Sequence, residues 1–356
     1  MKSFFCTVIG FLYFANGLFA QDKAQGVSLY NDGKYADALK IYDQLIRVND
    51  HDTDSFFGRG MTKMALNDYA GAEVDFKRVT KLNPRDADAF LNVGIAEFKQ
   101  GDNADAIEDI KTSIAIRPNY ADAYNYKGNV DYAMDDSVRA LYDYTNAIRL
   151  DSSNIDGYFN RAYVEIDMHR FQDAYNDLTN VLFIDPKDET AFFYRGLTLD
   201  EMKKYLDAAA QYNYAILYDP KYAEAYLNRG LDKYQLKFYD GAKEDFTQVL
   251  KLDSDNAVAY YCRGLCEHLM KDEKSAVNDY GLAIKYQSDY SEAYYARGTS
   301  FIVLNLTDAA CTDFNSANRL GYPAAQSALN YYCKGKQGSA RQTNQQPPKK
   351  QGWIIQ

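Results

Sequence analysis

The sequence predicts an all-α solenoid, a stack of antiparallel helix pairs. Three observations predict it. A period of 34 residues runs through most of the 356-residue chain. Small and aromatic residues recur at fixed places in that period. Tyrosine is abundant and proline scarce, 33 against 7, as expected where one aromatic packing position is reused in helices. Apolar residues make up 47% and charged residues 25%, so the chain should fold.

The first twenty residues come before the period is established. Lys2 supplies a charged start, the stretch from Phe4 to Phe14 is almost wholly apolar, and Ala20 offers a small residue for cleavage. This is the pattern of a secretory signal peptide. The apolar stretch is short for a membrane anchor. Cys6 lies inside it and not at the cleavage point, so it is no lipoprotein cysteine. No later stretch is apolar enough to span a bilayer. The expectation is an exported protein of the periplasm, the cell surface or the medium, in a compartment that permits disulfides.

Nine repeats follow, together covering residues 21–324. Position 8 is small: Gly26, Gly60, Gly94, Gly128, Ala162, Gly196, Gly230, Gly264, Gly298. Position 20 is always Ala, from Ala38 through Ala174 to Ala310. Position 24 is large, from Tyr42 and Phe76 to Phe314, and position 4 is aromatic from Phe56 onward. Within each half-repeat the apolar residues recur at three or four, which is helical spacing. The small residues mark where two helices cross. Pro84, Pro118, Pro186 and Pro220 end second helices. Asp86, Asp188 and Asn256 stand where the next helix needs an N-cap.

These residues resemble the tetratricopeptide repeat. The resemblance covers nearly all of the chain after residue 20, with Tyr or Phe in place of the usual Trp at position 4. It implies a right-handed superhelix, with first helices lining a concave groove. In that frame positions 5 and 9 face the groove: Phe57 and Met61, Leu91 and Ile95, Phe159 and Tyr163, Phe193 and Leu197, Leu227 and Leu231, Tyr261 and Leu265. Repeat four differs, with Asn125 and Asn129. An apolar peptide or helix would suit such a groove, the amides fixing its register. Two possibilities stay open at this point. The side chains line an open groove, or they pack against neighbouring first helices. The subclass that grips a terminal carboxylate is not matched. Asn92, Asn160 and Asn228 are present, but the Lys and Arg required in the next repeat are not.

Two charged patterns accompany the repeats. Position 7 is basic in seven, at Arg59, Lys127, Arg161, Arg195, Arg229, Arg263 and Arg297, and position 23 is Asp in seven. A feature copied so often reads as architecture and not as a specific site. Position 2 is acidic at Asp54, Asp88, Asp122, Asp156, Glu224 and Glu292. These suit the first turn of a helix, and a rim selecting basic partners is the other reading. Net charge is −10, or −11 once Lys2 leaves with the leader, which argues against nucleic acid as a partner.

No phosphate loop, HExxH, nucleophile elbow or CxxC is present. Cys262, Cys266 and His268 are close in sequence, but His268 falls off the face shared by the two thiols. No cofactor, metal or catalytic residue is expected. The sequence therefore points to a non-enzymatic scaffold that binds a protein or peptide. The other class is a carbohydrate-binding protein or enzyme using the tyrosine-rich groove.

The array should close with a capping helix over residues 325–335, docking Leu329 and Tyr332 on the last pair. Cys311 and Cys333 are equidistant from Tyr322 in the turn Gly321-Tyr322-Pro323, so a disulfide between them is expected. The ending resembles that of exported tetratricopeptide proteins of Bacteroidota. Residues 336–356 are rich in Gln, Lys and Pro and should be a disordered tail. Trp353-Ile354-Ile355 within it reads as plain tail or as a docking tag.

Overall fold

The computed structural model describes residues 21–333. The expected leader and tail lie outside the described residues. The described residues form two compact halves, divided between Asp173 and Ala174.

In the first half, residues 21–31 form α1. There follow α2 (Tyr35–Val48), α3 (Thr53–Ala65), α4 (Tyr69–Leu82), α5 (Ala87–Gln100), α6 (Asn103–Ile116), α7 (Ala121–Ala133), α8 (Ser137–Leu150) and α9 (Ile155–Asp167). Helix α10 (Phe171–Ile184) contains the boundary. The second half continues with α11 (Glu189–Glu201), α12 (Tyr205–Tyr218), α13 (Ala223–Gln235), α14 (Tyr239–Leu252), α15 (Ala257–Leu269), α16 (Glu273–Tyr286), α17 (Ser291–Val303) and α18 (Thr307–Arg319). Odd-numbered helices are first members of a pair and even-numbered ones second members. Within each half the pairs stack in chain order, and first helices of successive pairs touch, as α5 on α7 and α13 on α15. This is a tetratricopeptide-type α-solenoid, as the period predicts. The described residues contain no strand.

The pairs are close because position 8 has no side chain. A Cβ on Gly60 would stand 2.7 Å from the Phe76 ring, on Gly128 2.6 Å from Tyr144, on Gly196 2.6 Å from Tyr212 and on Gly264 2.7 Å from Tyr280. In these pairs the position-24 side chain of the second helix packs directly on the glycine. These rings are the best-buried large side chains: Phe76, Tyr144, Tyr212, Phe246, Tyr280 and Phe314 are at most 2% exposed. Burying one such ring contributes about 1.5–3 kcal/mol, so each pair has its own hydrophobic anchor.

Helix ends follow local chemistry. Asp86, Asp188 and Asn256 accept the backbone N–H of Ala89, Ala191 and Ala259, at 3.0, 2.7 and 2.9 Å. Helices α4 and α12 stop two residues before Pro84 and Pro220. The turn inside each pair passes through the left-handed region at position 15. Gly33 and Gly101 hold it in two repeats, and Asn67, Asp135, His169, Lys203, Lys237, Lys271 and Asn305 in the others, with φ between 58° and 69°. Asn and Asp tolerate that conformation better than Lys does, so repeats six to eight carry about 1 kcal/mol of strain each.

After α18 the chain turns at Gly321 and forms α19 (Ala325–Ala328), which continues as a π-helical turn, Leu329–Cys333. Leu329 is buried with Ala310 and Phe314, and Tyr332 stacks on Phe314 at 6.1 Å. Cys311 and Cys333 are joined by a disulfide, with Cα atoms 5.8 Å apart. It closes a loop spanning 22 residues, worth about 3 kcal/mol in the chain-entropy model.

The crossing predicts a double-mutant cycle. Gly264→Ala drives a methyl into Tyr280 and should destabilise by about 1–3 kcal/mol in thermal or urea unfolding. Gly264→Ala with Tyr280→Leu should recover part of that loss. Repeat five carries this combination naturally, with Ala162 at position 8 and Leu178 at position 24. Additive losses would contradict the crossing.

Candidate peptide-binding groove

The charged ladder is built into the packing. Arg59 forks onto Asp75 through Nε and Nη2, at 2.9 and 2.6 Å, and its Nη1 reaches Asp43 of the preceding pair at 2.7 Å. Arg229 does the same with Asp245 and Asn213, and Arg263 with Asp279 and Thr247. Arg297 forks onto Asp313, and Lys127 replaces the fork with one bond to Asp143. Each of these arginines also lies over the position-4 ring, as Arg229 over Tyr226 at 5.3 Å and Arg263 over Tyr260 at 5.5 Å. The carboxylates are buried. One side chain thus ties three helices together.

The sequence-predicted groove residues divide into two sets. Leu91, Ile95, Asn125, Phe193 and Tyr261 are buried. Phe57, Met61, Asn129, Phe159, Leu227 and Leu231 are half-buried, and Tyr163 is 51% exposed. In three repeats the last residue, position 34, covers the groove side chain. Tyr222 lies against Phe193 with ring centroids 4.8 Å apart, Tyr290 against Tyr261 at 5.0 Å, and Tyr120 joins the cluster around Leu91. Position 34 in repeats two and seven is a capping residue, Asp86 or Asn256. There Phe57 and Leu227 keep part of their surface. Some of these side chains are thus packed away and others keep surface, in different repeats.

The first half holds a cavity of about 410 Å³ on this face. Val27 and Tyr30 of α1 and Phe57 and Met61 of α3 give it an apolar wall, and Asp54 and Asp86 stand in its lining. Lys23 is the one cation there, and it is paired with Asp52 at 2.6 Å and Asp54 at 3.0 Å. Lys23 and Val27 are positions 5 and 9 of repeat one. Extending the groove frame back by one repeat would have found them.

Farther along the first half, the amides of repeat four form a connected group. Asn160 Nδ2 donates to Asn125 Oδ1 at 3.1 Å and to Asn129 Oδ1 at 3.0 Å, and the Tyr144 hydroxyl donates to Asn129 at 2.8 Å. Asn125 is consumed in this group, whereas Asn129 keeps surface. Of the position-2 acids, Asp88 is held by Arg117 at 2.7 Å and by Tyr120 at 2.6 Å, which keeps it below the usual carboxylate range.

A family model described as tetratricopeptide repeat matches residues 23–73, 57–121 and 227–292. The matched stretches are tetratricopeptide repeats. Solved structures agree on the fold. The C-terminal part of a tetratricopeptide repeat-containing protein from Cytophaga hutchinsonii superposes with a TM-score of 0.54, at 17% identity, over 67% of this chain and 97% of that one. A tetratricopeptide repeat protein from Parabacteroides merdae gives 0.50 at 20% identity, over 68% and 97%. PilF of Pseudomonas aeruginosa gives 0.51 at 19% identity, over 59% and 97%. No curated protein matches the sequence.

Other chemistry-bearing groups serve packing. Cys262 and Cys266 are free and buried, and burial pushes the Cys266 thiol up to about 12. His268 receives both Glu273, at 2.8 Å, and Ser300, at 3.3 Å, on the same nitrogen, Nδ1. A serine relay needs the acid and the hydroxyl on opposite nitrogens, so this is not one. No helix among the described residues is long and apolar enough to cross a membrane.

One buried acidic pair went unnoticed in the sequence. Asp200 and Asp232 face each other under Tyr212, whose hydroxyl donates to Asp200 Oδ2 at 2.5 Å. Asp200 Oδ1 and Asp232 Oδ2 are buried with no ordinary donor among the described residues. A proton shared between the carboxyls satisfies both. Burial first, and then the Asp200 carboxyl, raise Asp232 far above the usual carboxylate range. The signal was an acid at position 10, where other repeats carry Ala, Val, Ser, Thr or Cys.

The sign of the pH effect follows. A carboxyl raised in the folded state contributes fully below its unfolded value, and its contribution is lost as pH climbs toward the folded one. Asp232→Asn removes that loss. The variant should be more stable than the parent by about 1–3 kcal/mol at about pH 9, the gap closing toward about pH 4. Melting temperatures across that range check it. A constant gap would contradict the shared proton.

Proposed function

We propose that this protein is an exported scaffold whose concave face holds a segment of a partner protein. The open cavity walled by Val27, Phe57 and Met61 carries the reading. It is apolar, it lies on first helices, and its volume falls in the ~300–1,000 Å³ range of ligand sites. The half-buried Leu227 and Leu231 and the exposed Tyr163 extend the same chemistry to other repeats. A tetratricopeptide fold with this face suits protein–protein interaction. An apolar peptide or an amphipathic helix is the occupant that such surfaces fit.

Partner binding separates groove from core. Replacing Phe159 and Tyr163 by Ser should weaken capture of the partner from native-host extract by tenfold or more, an effect of about 1.4 kcal/mol per decade. The melting temperature should fall by only a few degrees. Collapse of the fold would make the rings core and remove them from the site.

Export is supported by the leader pattern of residues 1–20 and by the Cys311–Cys333 pair. Intact-mass measurement of the protein from its host should give a chain beginning at Gln21. Alkylation of the denatured protein should modify two thiols without reductant and four with it. An intact leader, or four thiols in both samples, would contradict export into an oxidising compartment.

A further inference from the structure

We propose that the outer face of α12 is a self-association surface, on which a second copy of this chain packs its own α12 in the antiparallel sense. The observation behind this is a break in the repeat. Positions 18, 22, 26 and 29 form one stripe along each second helix, within about a quarter turn of each other. In α12 all four are apolar: Leu206, Ala210, Tyr214 and Leu217. In every other second helix except α10 at least one of the four is charged. Position 29 shows the change most clearly. It is basic in six repeats, from Arg47 to Arg319, where it complements the carbonyls of the last turn. Repeats five and six carry Phe183 and Leu217 there instead.

Leu206 is 70% exposed, Leu217 64% and Phe183 88%. Tyr214 and Tyr218 keep surface although both stack on Phe192, at 5.0 and 5.7 Å. Those rings are held in place before any partner arrives, so little ordering is needed on binding. Helix α12 exposes on the order of 400 Å² of apolar side chain, and patches of that size mark interaction sites. A standard interface buries ~800 Å² per partner around a core that is about 65% apolar, so the stripe supplies most of such a core. Charge selects the occupant. The chain carries −10, so two copies repel each other over most of their surface, and an uncharged stripe is where a copy can approach. Charge also selects the direction. Lys203 and Lys204 precede the first turn of α12, which contains Asp207. Asp219 and the last-turn carbonyls stand at the other end, with Lys221 beyond them. An antiparallel copy brings the positive end of each helix to the negative end of the other. In that two-fold pairing Leu206 meets Leu217 of the second copy, and the small Ala210 leaves room for its Tyr214. The surface lies on second helices and shares no residue with the groove.

Sedimentation velocity of the purified chain tests this. At about 50 μM the parent should have twice the mass of one chain, since interfaces of this size bind at micromolar levels or tighter. Leu206→Lys and Leu217→Glu should each raise the dissociation constant tenfold or more. Both side chains are exposed, so neither change disturbs the core, and circular dichroism verifies folding. Combined in one chain, the two substitutions should restore the dimer, because antiparallel pairing sets the new cation of one copy against the new anion of the other. A parent that is monomeric at that concentration overturns the proposal, and so does a dimer that survives both single substitutions. A double variant that stays monomeric overturns the antiparallel pairing. Replacing Phe159 and Tyr163 by Ser should leave the dimer intact, so this surface and the groove stand or fall separately.

Discussion

The contact between a glycine and a ring governs this structure. At position 8 of repeats two to four and six to nine the second helix approaches so closely that a single methyl would overlap the position-24 side chain, by the 2.6–2.7 Å spacings at Gly94, Gly128, Gly230 and Gly298. The rest follows from that approach. Ala at position 20 is small for the same crossing, and it is fully buried from Ala38 to Ala310. The ring, once packed on the glycine, leaves no room for water and anchors the pair. Only then are the helices close enough for an arginine at position 7 to reach an aspartate at position 23. The ion pair is a consequence of the crossing, and it refines a geometry that hydrophobic burial has already set. Buried pairs of this kind add specificity more surely than stability.

Because the packing is copied, the sequence made most of the fold legible. The period, the helix pairs, the N-caps at Asp86, Asp188 and Asn256 and the Arg–Asp ladder could all be read from spacing alone. Other features were visible but not used. Position 15 requires positive φ in every repeat, and Gly33, Gly101, Asn67 and Asn305 announce it. Lys203, Lys237 and Lys271 hide it, because lysine carries no preference for that conformation. The partial exposure of the groove was a harder problem. Helix rotation places Phe193 and Phe57 on the same face, and spacing cannot tell them apart. A residue almost thirty positions later decides. Tyr222 folds over Phe193, whereas Asp86 turns to cap the next helix and leaves Phe57 part of its surface. Between these two repeats, a ring or a cap at position 34 makes the difference.

If copied residues hold the array together, function must reside where the copying fails. Three such places stand out. In repeat one, Lys23 and Val27 occupy the groove positions and border the cavity with Asp54 and Phe57. In repeat four, Asn125 and Asn129 replace apolar residues and are tied by Asn160 and Tyr144. In repeats six and seven, Asp200 and Asp232 bring two acids into the interior under Tyr212. The energetics of the three differ. Amides tied to one another lose little on burial, since each hydrogen bond offsets the water it replaces. Two acids in one interior site cost stability unless a proton is held between them. The repeat could have kept Thr or Cys at Asp232, as repeats two, six and eight do at the same position. Retaining the acid makes this region responsive to pH. The cavity of repeat one bears the opposite relation to stability. Its apolar wall is exposed area that the array does not cover, and an occupant would bury it. The packing rule that closes Phe193 and Tyr261 therefore leaves, beside Asp86, a cavity that binding can complete.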